Sequence, residues 1–339
     1  MLAFIVIFLI ALTTTSVSIP WVRRAALALG FVDTPSARKS HQTPTPLLGG
    51  AAIFLGAIIG IIIYYRGNPH PTVIGVMLAT SVVALMGLID DYRPLPAWVK
   101  LSGQILGFFI LAYFGIRVRL PVPEPVNYAI TLLWVLGITN AINFLDNMDG
   151  LSAGISAVMS SFILLLALFN GQFLVSALAA GVLGACLGFL RYNFSPAQIF
   201  MGDVGTMFLG FLLAVMGIQL RFPDNSNFVT WMVPIFLFGL PIFDMCLVFL
   251  SRLRRGISPA TAGRDHTSHR LVQLGFSSRE TVLILYLFSG IMGMMALFIT
   301  RATIIEGYAV GVAAVILGLG AIVWLERQWK LREINEQRS

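Results

Sequence analysis

Charge is scarce in this chain: 11% of its 339 residues are Asp, Glu, Lys or Arg, 58% are hydrophobic, and mean hydropathy is +0.88. A soluble globule needs more polar surface than that, so the composition excludes one and indicates a polytopic membrane protein. Cysteine is nearly absent as well. Cys186 and Cys246 each stand alone in an apolar stretch, which argues against a disulfide framework or a thiolate metal site. There is no internal repeat, low-complexity tract or soluble domain to read. The net charge of +7 is spread over several loops and a tail, so no nucleic-acid partner is expected, and anionic lipid is the natural nonspecific one.

What the chain does have is apolar runs long enough to cross a hydrocarbon core of about 30 Å. Eleven are expected, at 1–20, 47–66, 71–90, 99–116, 126–144, 150–169, 172–190, 204–221, 228–250, 280–299 and 306–325. The fold class is therefore all-α, one transmembrane domain over 1–325 followed by a cytoplasmic tail, 326–339. Of the 22 Lys and Arg residues, only Arg66, Arg117, Arg119, Arg221 and Arg301 fall on one side of this layout. The positive-inside rule then places the N-terminus outside and the C-terminus in the cytoplasm. The first run has no basic residue before it and no small-x-small site after it, so it reads as a retained helix anchored by Arg23 and Arg24.

With so few charges, the acidic residues at the ends of these runs are informative. Asp90 and Asp91 close the third run in GLIDDYRPLP, where an unpartnered pair would be costly; a plain helix cap would need one Asp. Asn143, Asp146 and Asp149 recur at intervals of three in NFLDNMDG, so a continuing helix would put them on one face; an Asx-rich turn is the bland alternative. Hard oxygen ligands of this kind suit magnesium and phosphate-bearing substrates. Asp203 lies between Gly202 and Gly205 at the start of the eighth run, where free N–H groups favour phosphate, although Asp is also an ordinary N-cap. Asn193 lies at the same face. Asp244 is about 10 Å inside the ninth run and needs a partner or a cleft.

Cations come from the ninth connection, GRDHTSHR, with Arg264, His266, His269 and Arg270; two histidines without a third ligand make zinc the weaker reading. Arg38, Lys39 and His41 add basic groups in the first connection. Together these motifs place acids for a cation and bases for phosphates at one membrane face.

In their order, the motifs from about Asp33 to Arg270 resemble the polyprenyl-phosphate N-acetylhexosamine-1-phosphate transferases. The resemblance implies a Mg-dependent transfer of a sugar 1-phosphate from a UDP-sugar to a polyprenyl phosphate, with manganese as a substitute ion, at the cytoplasmic face of the bacterial plasma membrane. It assigns Asp90, Asp91, Asp146, His266 and His269 to catalysis. Lys100, Asn143, Asp149, Asn193, Arg264 and Arg270 go to substrate, and Asp203 with Asp91 to the metal. Homodimers are common among similar proteins. Ser268 stands where a further histidine is usual, and Pro94 where the pentapeptide transferases have lysine, which favours the UDP-N-acetylglucosamine branch. The phospho-N-acetylmuramoyl-pentapeptide branch is the alternative, and a lipid or ion transporter with a divalent site is the rival from another class.

Overall fold

The computed structural model describes residues 1–33, 44–64, 70–258, 261 and 263–338. Arg38, Lys39 and His41 lie outside the described residues. The chain is all-α and divides into two compact units, Met1–Arg221 and Phe222–Ser339.

The first unit contains α1 (Leu2–Leu29), a two-stranded antiparallel ribbon of β1 (Val32–Asp33) and β2 (Thr45–Pro46), and seven further helices. These are α2 (Gly49–Tyr64), α3 (Pro71–Tyr92), α4 (Ala97–Tyr113), α5 (Glu124–Leu145), α6 (Leu151–Phe169), α7 (Phe173–Asn193) and α8 (Gly202–Gln219). α8 is the hub. It packs against α3, α5 and α2, while α7 packs against α1, α2 and α6. All its residues are buried except Asp203 in the first turn and Gln219 at the end, so the one charge it carries sits where the packing opens.

Close approach is what lets α8 sit there. A Cβ on Gly50 would lie 2.2 Å from the backbone of Gly205, so α2 and α8 cross glycine on glycine. Lipid gives apolar helices little hydrophobic reason to associate, and small residues that allow backbone contact supply the packing instead.

The second unit contains α9 (Asn227–Thr230), α10 (Met232–Leu237), α11 (Gly239–Arg254), α12 (Thr267–Gln273), α13 (Ser278–Ile299) and α14 (Ile304–Arg338). Ser277 and Glu280 form a capping box that starts α13. α14 continues without a break past residue 325, so the tail expected at 326–339 is helical through Arg338.

Ten of the eleven apolar runs each fall on one helix, whereas the ninth, 228–250, is broken into α9, α10 and α11. Among the described residues eight helices, α1, α3, α5, α6, α7, α8, α13 and α14, are long and apolar enough to span a membrane; the segment Asn227–Leu237 with Gly239–Arg254, bent by 71°, makes a ninth if it is one span. α2 and α4 are apolar but shorter.

Candidate active site

In the first unit the ends of α3, α4, α5 and α8 bring Asp90, Asp91, Lys100, Asn143 and Asp203 together. Asp91 accepts the backbone N–H groups of Asp203 at 2.7 Å and Val204 at 3.0 Å. These are two of the donors that a helix start leaves unpaired, so a carboxylate from α3 caps α8. Gly202 makes this possible: its φ is +72°, and a Cβ there would lie 2.5 Å from Asp91 Oδ2.

Asp90 turns the other way. Its Oδ1 accepts Leu95 N–H at 2.6 Å and its Oδ2 accepts Lys100 Nζ at 3.0 Å. The turn after Tyr92, with Pro94 and Pro96 stiffening it, returns the chain so that Lys100 in α4 faces α3. Lys100 also donates to Asp203 Oδ2 at 2.8 Å, bridging two carboxylates from helices over 100 residues apart. Asn143 Nδ2 completes the ring, donating to Asp203 Oδ1 at 2.9 Å and Thr206 Oγ1 at 2.8 Å. Behind it, Gln104 and Asn140 pair through their amides, at 2.8 Å for Asn140 Nδ2 to Gln104 Oε1.

The three-residue spacing of Asn143, Asp146 and Asp149 does not make one helical face, because α5 ends at Leu145. Asp146 is the C-cap residue and Gly150, at φ +78°, turns the chain into α6. Asp146 is half-buried; desolvation, and then the charges of Asp203, Asp91 and Asp149, push its carboxyl up to about 7. Asp149 accepts Ala197 N–H at 2.9 Å. Asn193 is buried, accepts Gly150 N–H and donates to Ile199 O, each at 2.9 Å. These two side chains tie the 146–150 turn to the segment before α8.

The loop-nine residues form a separate cluster in the second unit. Asp244, 1% exposed in α11, accepts from His266 Nδ1 at 2.8 Å and from Thr267 N–H at 2.7 Å, so the deep carboxylate is an orienting partner for an imidazole. Asp265 is gripped by Arg252, at 2.7 Å and 3.0 Å, and by Arg255. Burial would raise its carboxyl, but the two guanidiniums outweigh that and hold it at about 2. Arg270 is buried, donates to Asp265 O at 2.9 Å, Ser251 Oγ at 3.0 Å and Glu326 Oε1 at 2.6 Å, and lies 5.1 Å from the Trp329 ring. Burial first, then the neighbouring His266 and Arg264, lowers His269 to about 4, so it is a neutral imidazole at pH 7. Arg264 is exposed and Ser268 is buried.

Asp265 and Glu326 were not legible as site residues. Glu326 sits beyond the last apolar run, where nothing in sequence separates a tail acid from a partner of Arg270. Asp244 carried a signal in its depth, though its histidine partner 22 residues on did not.

Among the described residues no three His, Cys, Asp or Glu side chains gather closely enough to cage a metal ion by themselves. The donors that do converge are hard carboxylate oxygens, which fits magnesium, an ion usually held by one or two carboxylates together with substrate phosphates.

A model of glycosyl transferase family 4 matches residues 73–221, the span that holds the whole carboxylate cluster. The chain is 34% identical to a probable undecaprenyl-phosphate N-acetylglucosaminyl 1-phosphate transferase of Bacillus subtilis, over 90% of this chain and 87% of that protein. It is 32% identical to a decaprenyl-phosphate N-acetylglucosaminephosphotransferase of Mycobacterium tuberculosis, over 81% and 77%. With an undecaprenyl-phosphate alpha-N-acetylglucosaminyl 1-phosphate transferase of Escherichia coli K12 the identity is 28%, over 80% and 77%.

Proposed function

Because the chain belongs to glycosyl transferase family 4, we propose that it moves N-acetylglucosamine 1-phosphate from UDP-N-acetylglucosamine to undecaprenyl phosphate, releasing UMP. The observation that carries this reading is the junction of Asp90, Lys100, Asn143 and Asp203 inside the matched span. It is an acid-rich site with one fixed cation, suited to a diphosphate that arrives with a divalent ion.

Asp203 is the residue we assign to magnesium, with Asp146 beside it; Asp91 instead fixes the helix start that presents Asp203. When bound, the ion would offset negative charge on the diphosphate and on the departing UMP. Lys100 supplies a positive group for phosphate oxygens from a position already fixed by two carboxylates. Asp90 is not needed as a base. A phosphate monoester has a second pKa near 6, so the acceptor is mostly ionised at neutral pH. Asp90, held by Leu95 N–H and Lys100, positions the acceptor for in-line attack, in which the new P–O bond forms as the bond to UMP breaks.

In the second unit, Asp244 orients His266, and by resemblance His266 and neutral His269 are catalytic groups and exposed Arg264 a substrate-binding one. Arg270 braces this loop. Asp149 and Asn193 brace the turn beneath Asp146, and we do not assign them to the uracil edge. All eleven apolar segments cross the membrane in this reading, α2 and α4 as short spans, with the N-terminus outside and the acids at the cytoplasmic face of a bacterial plasma membrane.

The test is UMP release by the purified protein in detergent with undecaprenyl phosphate and magnesium. UDP-N-acetylglucosamine, UDP-N-acetylgalactosamine and UDP-N-acetylmuramoyl-pentapeptide are compared, with Asp203→Asn as control. Turnover of the first alone, abolished in the variant, is expected; no UMP from any donor would refute the reading.

A further inference from the structure

A second charged site lies at the opposite ends of the helices that build the first. A cavity of about 550 Å³ is lined by His70, Phe114, Arg119, Gln172, Phe173 and Arg221, among others. It sits where α3 and α7 begin and α4 and α8 end. Along α3, Thr72 beside the cavity is about 27 Å from Asp90 at 1.5 Å per residue, so this cavity and the carboxylate cluster occupy opposite membrane boundaries.

Its electrostatics are the reverse of the first site. Arg117 is neutralised by Glu124, at 2.5 Å and 2.7 Å. Glu124 also feels the charge of Arg119, but its carboxylate is taken up by Arg117; among the described residues neither Arg119 nor Arg221 makes an ion pair, and both line the cavity. Arg221 is locked in place: its backbone exchanges two hydrogen bonds with the Gln172 side chain, at 2.6 Å and 3.1 Å, and its Nη1 donates to Ile218 O and Leu220 O. Arg119 is exposed. Desolvation, and then the charge of Arg119, lower Arg221 to about 10. Two guanidiniums that share one cavity with no ion-pair partner of their own are stabilised when an anion enters.

We propose that this cavity is a binding site for a phosphate-bearing headgroup, taken from an anionic lipid of the leaflet opposite the carboxylate cluster. The lining argues for the lipid source. Phe114 and Phe173 set an apolar wall beside the two arginines, and the ends of four apolar helices put the cavity at the depth of lipid phosphates. A doubly basic fork matches phosphate oxygens, and the apolar wall matches the glycerol and first methylenes below them. The site stands whether or not the transferase reading holds.

The experiment is thermal unfolding of the full chain in neutral detergent with phosphatidylglycerol, phosphatidylcholine or inorganic phosphate, on wild type, Arg119→Gln, Arg119→Gln/Arg221→Gln and the control Arg301→Gln. Phosphatidylglycerol should raise Tm by several degrees more than phosphatidylcholine. Arg119→Gln should lose at least half of that difference, the double variant all of it, and the control none. If inorganic phosphate matches phosphatidylglycerol with the same dependence on Arg119, the site takes free phosphate. Equal shifts by the two lipids, or a full shift in Arg119→Gln, would overturn the proposal. Among the described residues Arg119 makes no hydrogen bond, so its variant tests the site even if removing Arg221 unfolds the end of α8.

Discussion

In the first unit four aspartates, Asp90, Asp91, Asp146 and Asp203, gather around one lysine, Lys100, which pairs with Asp90 and Asp203, whereas in the second unit Arg252, Arg254, Arg255 and Arg270 share Asp265 and Glu326. One cluster has an excess of negative charge and the other an excess of positive charge. Both are built from groups that are costly to bury, and each spends part of its charge on its own architecture: Asp91 on the start of α8, Asp265 and Glu326 on the arginines. What is left over differs in sign.

That contrast can be broken most directly at Asp203. Asp203→Asn keeps the shape and removes the charge that Lys100 and Asn143 organise, so kcat/KM for UMP release should fall by about 10³, at the upper end of what one electrostatic group contributes. A fall of less than tenfold would mean that the acid excess is structural. Lys100→Ala comes next, with a loss of about 10²; Lys100→Arg should recover part of it, because a charge and not only a shape is required.

In the second unit, Asp244→Asn keeps a hydrogen-bond acceptor for His266 but no longer fixes its tautomer. We expect about a tenfold loss, near the lower end for groups that orient a ligand. His266→Gln should cost the same, and the double variant no more than either alone; additive losses would separate the two residues. Glu326→Gln removes the carboxylate from Arg254 and buried Arg270, and should lower Tm while changing kcat only a few-fold.

The smallest effect is a pH dependence. His269 titrates at about 4 in the folded chain against 6.5 when unfolded, so the unfolded chain takes up the proton first as pH falls. The stability this imidazole contributes is complete above pH 6.5 and is lost progressively as pH falls toward 4. Tm at pH 5 should therefore lie below Tm at pH 7.5, and His269→Gln should reduce the difference. An identical difference in that variant would assign it to another group.

The helices were legible because a segment that crosses lipid must be apolar throughout, which leaves a one-dimensional record. The acids were legible for the converse reason: a carboxylate at the end of such a segment is expensive, so its presence marks use. Their partners were not. Nothing local tells Asp91 that it will cap a helix 112 residues later, or that Asp90 beside it will hold Lys100 instead. The three-residue spacing of Asn143, Asp146 and Asp149 pointed to one helical face, and the stop at Leu145 replaced it with a helix end and a turn. Asn193 was expected to bind substrate, but its amide is committed to Gly150 and Ile199, a use only the folded chain displays.

The cap that Asp91 places on α8 also sets a schedule for synthesis. Asp90 meets its lysine ten residues later, within the same stretch of emerging chain. Asp91 has no such neighbour and must wait at the bilayer edge until Asp203 and Val204 have been translated. A nascent chain that stops before Gly202 would hold that carboxylate without its helix, and α3 would be free to slide toward water. The arrival of α8 is therefore the event that joins α3 and α5 to α2.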